Sequence, residues 1–361
     1  MTSGRSQHVR EALGIPRSGT WSQVAIVTVL AALLGAAPAL AKKGDGDGRH
    51  CSETANALFV ACGGEVQAAF FTASAICTNL TDADERAECT SDAKDESKEG
   101  NLLCREQREA RRELCGELGE ARYDPAFDPA DFDANFASLT HPNPFFPLAI
   151  GNAWEYASED ESVAIEVLDA TKRIEGVTCI VVNDRVEVDG EVVEDTDDWF
   201  GQRKNGTVDY CGEISRNYES FAGDDPAAAE LVDLEGSWKT GRDGAQPGTL
   251  FQGTPAVGQI YRQEFAAGIA EDAARVLSTT YGFGGDPELD EFVPEALADL
   301  LCAASDCVVT GEFSPLSPDS FERKYYARGI GLFLEVHPDS GETLQLVDCN
   351  FDARCAALPT P

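Results

Sequence analysis

Residues 176–213 read GVTCIVVNDRVEVDGEVVEDTDDWFGQRKNGTVDYCGE. β-branched and aromatic residues alternate with polar ones, the period-two signature of a strand. Asp189-Gly190 and Asn205-Gly206 interrupt the alternation. Such dipeptides accept positive φ and close tight hairpins. The stretch therefore predicts a three-strand antiparallel meander over 177–188, 191–200 and 207–212. Further alternating runs lie at 153–156, 162–169, 258–265, 275–281, 308–313, 321–326, 331–336 and 343–348. A meander of about ten strands has to curl or close. The expectation is a strongly curved sheet or open barrel with its concave face covered. Residues 287–304 (PELDEFVPEALADLLCAA) read as a helix with apolar Phe292, Ala296, Leu297 and Leu300, placed over the barrel mouth.

Upstream, six cysteines have a pattern of their own. Cys51, Cys62, Cys77, Cys89, Cys104 and Cys115 are spaced 11, 15, 12, 15 and 11, the same in both directions. Residues level with one another across an antiparallel hairpin have a constant sum, so nested pairs Cys51–Cys115, Cys62–Cys104 and Cys77–Cys89 fit two helices. Spacings of 11 and 15 return close to one direction at about 100° per residue. The first helix carries an apolar stripe through Ala55, Leu58, Val66, Ala69, Phe70 and Ala73. Thr81 is read as the N-cap of the second helix, with Asp84 and Glu85 in its first turn. Glu99-Gly100-Asn101 is read as a break in that helix. The fold class expected is α+β: a disulfide-stapled helical hairpin, then a mainly antiparallel, strongly curved sheet or open barrel.

The N-terminus reads as an export leader. Arg5, Arg10 and Arg17 precede an apolar run at 24–40, and Ala39-Leu40-Ala41 is a small-x-small cleavage site. The alternative is a retained membrane anchor; no stable membrane span is expected once the leader is cut. The organisation expected is a signal peptide at 1–41, a linker at 42–50, the hairpin at 51–119 and a Pro/Asp/Phe linker at 120–144. A β domain follows at 145–350, with a helical insert near 282–306, and then a tail at 351–361. All twelve cysteines lie beyond the leader, in even number and without C-x-x-C, so they read as disulfides of a periplasmic or extracellular protein. Cys302–Cys307 and Cys349–Cys355 are expected as local bridges. Cys179 and Cys211 flank a strand, about 9.6 Å apart by strand spacing, so they are not expected to pair.

The formal net charge is −36, and loss of 1–41 removes three Arg and one Glu, leaving the rest more acidic still. That excludes nucleic acid and anionic lipid surfaces, which need a basic face. It permits loose binding of divalent cations, calcium above all, for which Asp195 and Asp197 are the candidate ligands. The bland reading of every acidic run is a solvated surface. No cofactor is otherwise implied. Serine-hydrolase, phosphate-loop, dinucleotide and H-E-x-x-H motifs are absent. His141 and His337 are read as turn residues.

Several segments resemble a group of exported bacterial proteins for which no activity is established. They are NPFFPL (143–148), Gly151-x-x-Trp154-x-Tyr156, EVVEDTDDW (191–199), EGSW (235–238), Val257-Gly258 and YRQE (261–264). Tyr325-Tyr326, Gly329, Gly331 and Glu335-Val336 belong to the same likeness, which spans about 122–349 and departs at 282–305. It implies an exported β domain and no activity.

Three function classes follow. The first is an exported, non-catalytic binding protein holding an apolar or amphipathic ligand in the curved sheet, through Trp154, Trp199, Trp238, Tyr261, Arg262 and Glu264. Arg262 and Glu264 are read as sharing a strand face, where Arg262 orients an anionic head group. The second is a structural or interaction protein that docks a protein partner on the hairpin; an exposed apolar patch there favours it. The third is a carboxylate hydrolase, with acids drawn from Glu194, Asp195, Asp197 and Asp198.

Overall fold

The computed structural model describes residues 48–361, so the expected leader and most of the first linker lie outside the described residues. The chain forms two compact units that divide between Arg122 and Tyr123. The Pro/Asp/Phe segment therefore belongs almost wholly to the second.

The first unit is a hairpin of α1 (His50–Asn79) and α2 (Ala83–Leu118). Disulfides join it in the nested order Cys51–Cys115, Cys62–Cys104 and Cys77–Cys89, with Cα separations of 5.7, 5.8 and 5.5 Å. Two readings need correction. The cap of α2 is Asp82 rather than Thr81: its carboxylate accepts from Asp84 N and Glu85 N, where it also meets the positive end of the helix. Nor does α2 break at Gly100. A Cβ there would lie 2.9 Å from Val66 Cγ2, so the glycine lets the two helices approach instead of ending one. The open end is tied by Glu120, which accepts from His50 N through its carbonyl and from Ser52 N through its carboxylate.

The second unit is one antiparallel sheet. Its strands are β1 (Ala153–Ala157), β2 (Glu161–Ile174), β3 (Val177–Val188), β4 (Glu191–Gln202), β5 (Val208–Glu219), β6 (Glu230–Asp233) and β7 (Trp238–Lys239). They continue as β8 (Gly248–Phe251), β9 (Ile260–Arg262), β10 (Ala273–Tyr281), β11 (Cys307–Ser314), β12 (Ser317–Ala327), β13 (Gly331–His337) and β14 (Glu342–Cys349). The spatial order is β6-β5-β4-β3-β2-β1-β14-β13-β12-β11-β10-β9, with β7 and β8 also on β5. The sheet is not closed; its two ends meet at the isolated bridge Gln246–Phe265. Asp189 (φ 54°) and Gly190 (φ 80°) both sit in the left-handed region that the β3–β4 turn requires. The short β6, β7 and β8 escaped the sequence reading because two to four residues carry too little alternation.

Cys179 and Cys211 do pair, at a Cα separation of 6.7 Å, against expectation. The expectation assumed a flat ladder. In fact Trp199 faces Gly212 while Phe200 faces Tyr210, so Cys211 is the extra residue of a bulge. The strand it must cross carries Gly201, whose missing Cβ would lie 3.3 Å from Cys211 Sγ. Cys302–Cys307 and Cys349–Cys355 form the two local bridges.

The insert is helical only in α3 (Glu295–Leu301), preceded by turns in which Phe292 has φ 64°. Pro294 caps it, since a proline's fixed φ and missing N–H suit a helix start. The insert does not lie over a barrel mouth. Tyr325 Oη donates to Leu289 O and Arg323 Nη1 to Glu288 O, so it rests on the β12 face opposite Lys324 and Tyr326. That outer face is apolar (Val309, Leu334, Val336) and needs a cover. Phe132 and Phe136 of the Pro/Asp/Phe segment, and Phe145 just after it, are buried against the sheet, and Phe351 of the tail packs edge-on to Trp154.

Candidate functional site

Alternation sends Asp198 of β4 and, across the Cys211 bulge, Tyr210 and Glu213 of β5 to one side of the sheet. The Tyr210 hydroxyl bridges the two acids, bonding Asp198 Oδ1 and, at 2.7 Å, Glu213 Oε2. A hydroxyl has one proton to give, so one of the two carboxyls must supply the other. Burial agrees: it pushes Asp198 well above the usual carboxylate range, aided by the Glu213 charge, and raises Glu213 to about 7. Glu264 and Asp272 border the same group and are likewise lifted by burial, Glu264 further by the Asp272 and Glu213 charges. Trp238 is buried edge-on against Tyr210, at 5.3 Å between ring centroids.

On β11 to β13, a cation holds a second group. Lys324 Nζ lies 3.2 Å from Glu312, 3.4 Å from Glu322 and 3.4 Å from Glu335. Burial alone would lower this lysine, but the three carboxylates outweigh it and keep the ammonium charged. Burial alone would raise the part-buried Glu335, yet Lys324 and His337 hold it down at about 2.

The ligand residues expected from sequence are not gathered on one cavity. Trp154 is buried and donates Nε1–H to Ile330 O at 2.7 Å. Trp199 packs on the other side of β4 from Asp198, with Lys172 Nζ 3.2 Å from its ring centre. Tyr261 is buried with Phe251 and Tyr326. Arg262 and Glu264 do not share a face. Gln263 N and Glu264 N both donate to Asp272 O, a bulge that breaks the alternation. Arg262 consequently stacks on Phe265 (4.8 Å) and Tyr123 (5.7 Å), while Glu264 joins the interior acids. Asp195 and Asp197 are engaged by one guanidinium: Arg216 Nη1 to Asp195 at 3.1 Å and Nη2 to Asp197 at 2.7 Å. Asn183 also donates to Asp195.

The sequence reading missed Lys324, Glu312, Glu322, Glu335 and His337. The available signal was Glu322-x-Lys324 beside Glu335-x-His337, two polar pairs at the spacing of one strand face.

The interior acids predict a pH response of definite sign. Between about 4.5 and 7 folded Glu213 keeps a proton that the unfolded chain releases, so stability falls as pH rises. A shift of that size corresponds to about 3 kcal/mol. Urea unfolding is expected to give a lower stability at pH 8 than at pH 5, with the difference reduced in Glu213→Gln. Equal stabilities at the two pH values would refute the shared-proton description.

The hairpin offers a surface rather than a pocket. Ala55, Ala73 and Cys77 are the buried residues of α1, whereas Val60 is 73% and Phe71 61% exposed. Ala57, Ala61, Gly64, Ala68, Phe71 and Ala75 are all exposed, at spacings of three and four that place them on one helix face. By length and composition α1 could cross a membrane. Three disulfides, however, tie it along its whole length to α2, whose charged residues cannot enter hydrocarbon cheaply.

No protein-family model, curated protein or solved structure matches the chain.

Proposed function

We propose that this is an exported, non-catalytic interaction protein that engages a protein partner through the apolar face of α1 and uses the β unit as a scaffold. The supporting observation is the exposure of Val60 and Phe71 on a helix whose opposite face α2 already covers. Six disulfides that use all twelve cysteines are consistent with maturation in an oxidising compartment, as export requires. The amphipathic-ligand reading is weaker, because Trp154, Tyr156, Tyr210, Trp238 and Tyr326 occupy the inner face of the sheet with their own contacts. The hydrolase reading needs a sugar-sized cleft between two acids. Asp198 and Glu213 are instead hydrogen-bonded to each other and to the Tyr210 hydroxyl, which leaves no such cleft between them.

Two measurements test this. Native mass spectrometry of the mature secreted chain is expected to show a polypeptide free of lipid-sized adducts. A photo-crosslinking residue placed at position 71 is expected to trap a protein partner, and Val60→Glu to abolish that product. Both sites are exposed, so stability should change by no more than about 0.5 kcal/mol. A lipid-sized adduct released on denaturation, or crosslinking indifferent to Val60→Glu, would overturn the proposal.

A further inference from the structure

β12 and β13 place Glu322 and Lys324, then Glu335 and His337, on one sheet face, with Lys324 directly opposite Glu335. Two pairs further along the same ladder, His337 comes level with Glu322. The carboxylates are divided in their contacts. Lys324 Nζ holds Oε2 of Glu322 and Oε2 of Glu335, both at 3.4 Å. That leaves Oε1 of each turned towards the imidazole: Glu335 Oε1 is 3.4 Å from His337 Nε2, and Glu322 Oε1 is 3.9 Å from Nδ1. Each of the three residues offers a donor atom within 4.8 Å of the others.

We propose that Glu322, Glu335 and His337 form a site for a divalent transition cation, zinc(II) in chemical class, with Lys324 as the fixed cation that orients both carboxylates. The geometry fits such an ion. A tetrahedral zinc with bonds of about 2.0–2.1 Å sets its ligands roughly 3.4 Å apart, the separation of His337 Nε2 from Glu335; Glu322, which faces Nδ1 but has its donor atom within 4.8 Å of the others, swings in to complete the three. Ligating carboxylates need their second oxygen held, and Lys324 does this for both. Charge also fits. Glu312, Glu322 and Glu335 around a single ammonium leave a formal excess that a dication neutralises. A nitrogen donor with two carboxylates suits zinc better than calcium, which takes six to eight oxygens. The ligands keep a way in from solvent, with side-chain exposures of 25, 16 and 24% for Glu322, Glu335 and His337. Asp195 and Asp197, the candidates suggested by sequence, already share Arg216 and carry no comparable site. The site lies in the β unit and does not depend on the reading of the hairpin.

Calorimetric titration of zinc chloride into the chelator-treated mature chain tests it. One equivalent is expected to bind with micromolar affinity, uncompeted by calcium. His337→Gln and Glu335→Gln should each weaken binding at least tenfold, and Asp195→Asn with Asp197→Asn should leave it unchanged. Cobalt(II) on the unaltered chain gives a reading independent of any variant's folding: an intense visible band of tetrahedral type is expected. A faint hydrated-ion spectrum, absence of zinc binding, or equal affinity in the wild type and His337→Gln would overturn the proposal.

Discussion

Lys324→Met is expected to lower the stability of the β unit by about 3–5 kcal/mol, the range for removing one partner of a buried charge group. The reasoning starts from what stays behind. Glu312 and Glu335 are 10 and 16% exposed at the side chain, and Glu322 is 25% exposed, so none can recover full hydration when the ammonium is gone. Methionine has nearly the same length and fills the stem's space, so the change isolates charge from packing. Three carboxylates would then face one another, and the surviving His337 can pair with only two of them. The loss should be read from urea unfolding at pH 7. It should shrink at pH 4, where carboxylates without a cation readily take up protons. Adding Glu312→Gln to Lys324→Met should restore part of the stability at pH 7. A loss below about 1 kcal/mol would put the cluster in the class of solvated surface pairs.

Full reduction of the hairpin disulfides should abolish its helices while the β unit keeps its own unfolding transition. The bridges close segments of 64, 42 and 12 residues, and each is worth roughly 2–4 kcal/mol in the chain-entropy model. Against this the hairpin buries little besides its cystines: Ala55, Ala73, Ala93, Arg111 and Leu114. A core this small cannot offset the conformational entropy of two helices. The β unit draws on Tyr325, Phe333, Leu334, Leu346, Val309 and many more buried side chains. Far-UV circular dichroism during titration with a phosphine reductant should therefore lose helical signal before strand signal. Helices that persist with every thiol free would disprove the stapled-hairpin account. Cys62→Ser with Cys104→Ser should produce an intermediate loss, because the outer and inner bridges still hold the ends of the pair.

Most of this architecture is written in local patterns. The palindromic cysteine spacing points to two antiparallel helices because helical phase and hairpin geometry both constrain it. The Asp-Gly turn announces the β3–β4 hairpin because few residue pairs tolerate two positive φ values. Failures came where a residue answers to something distant in sequence. Gly100 looked like a helix break until Val66 stood opposite it. Cys179 and Cys211 looked too far apart until a bulge and Gly201 shortened the path. The Lys324 group was illegible for a different reason. In a chain with 64 acidic residues, Glu312, Glu322 and Glu335 look like all the others until the ladder brings them to one ammonium. The same abundance made Asp195 and Asp197 look promising, although a single arginine satisfies both.

The pairing of β1 with β14, Trp154 opposite Cys349, has a consequence for how the sheet comes into being. Its two halves, β1 to β6 and β9 to β14, are each made of neighbouring hairpins and can assemble from nearby chain. The seam between them joins residues roughly 190 positions apart, so its loop-closure entropy falls due at a single late step. A chain delivered from its N-terminus must hold β1 as an unpaired edge until the final strand arrives. The same strand carries Cys349, whose partner Cys355 follows within six residues, so a local disulfide closes beside the seam only after β14 has been delivered.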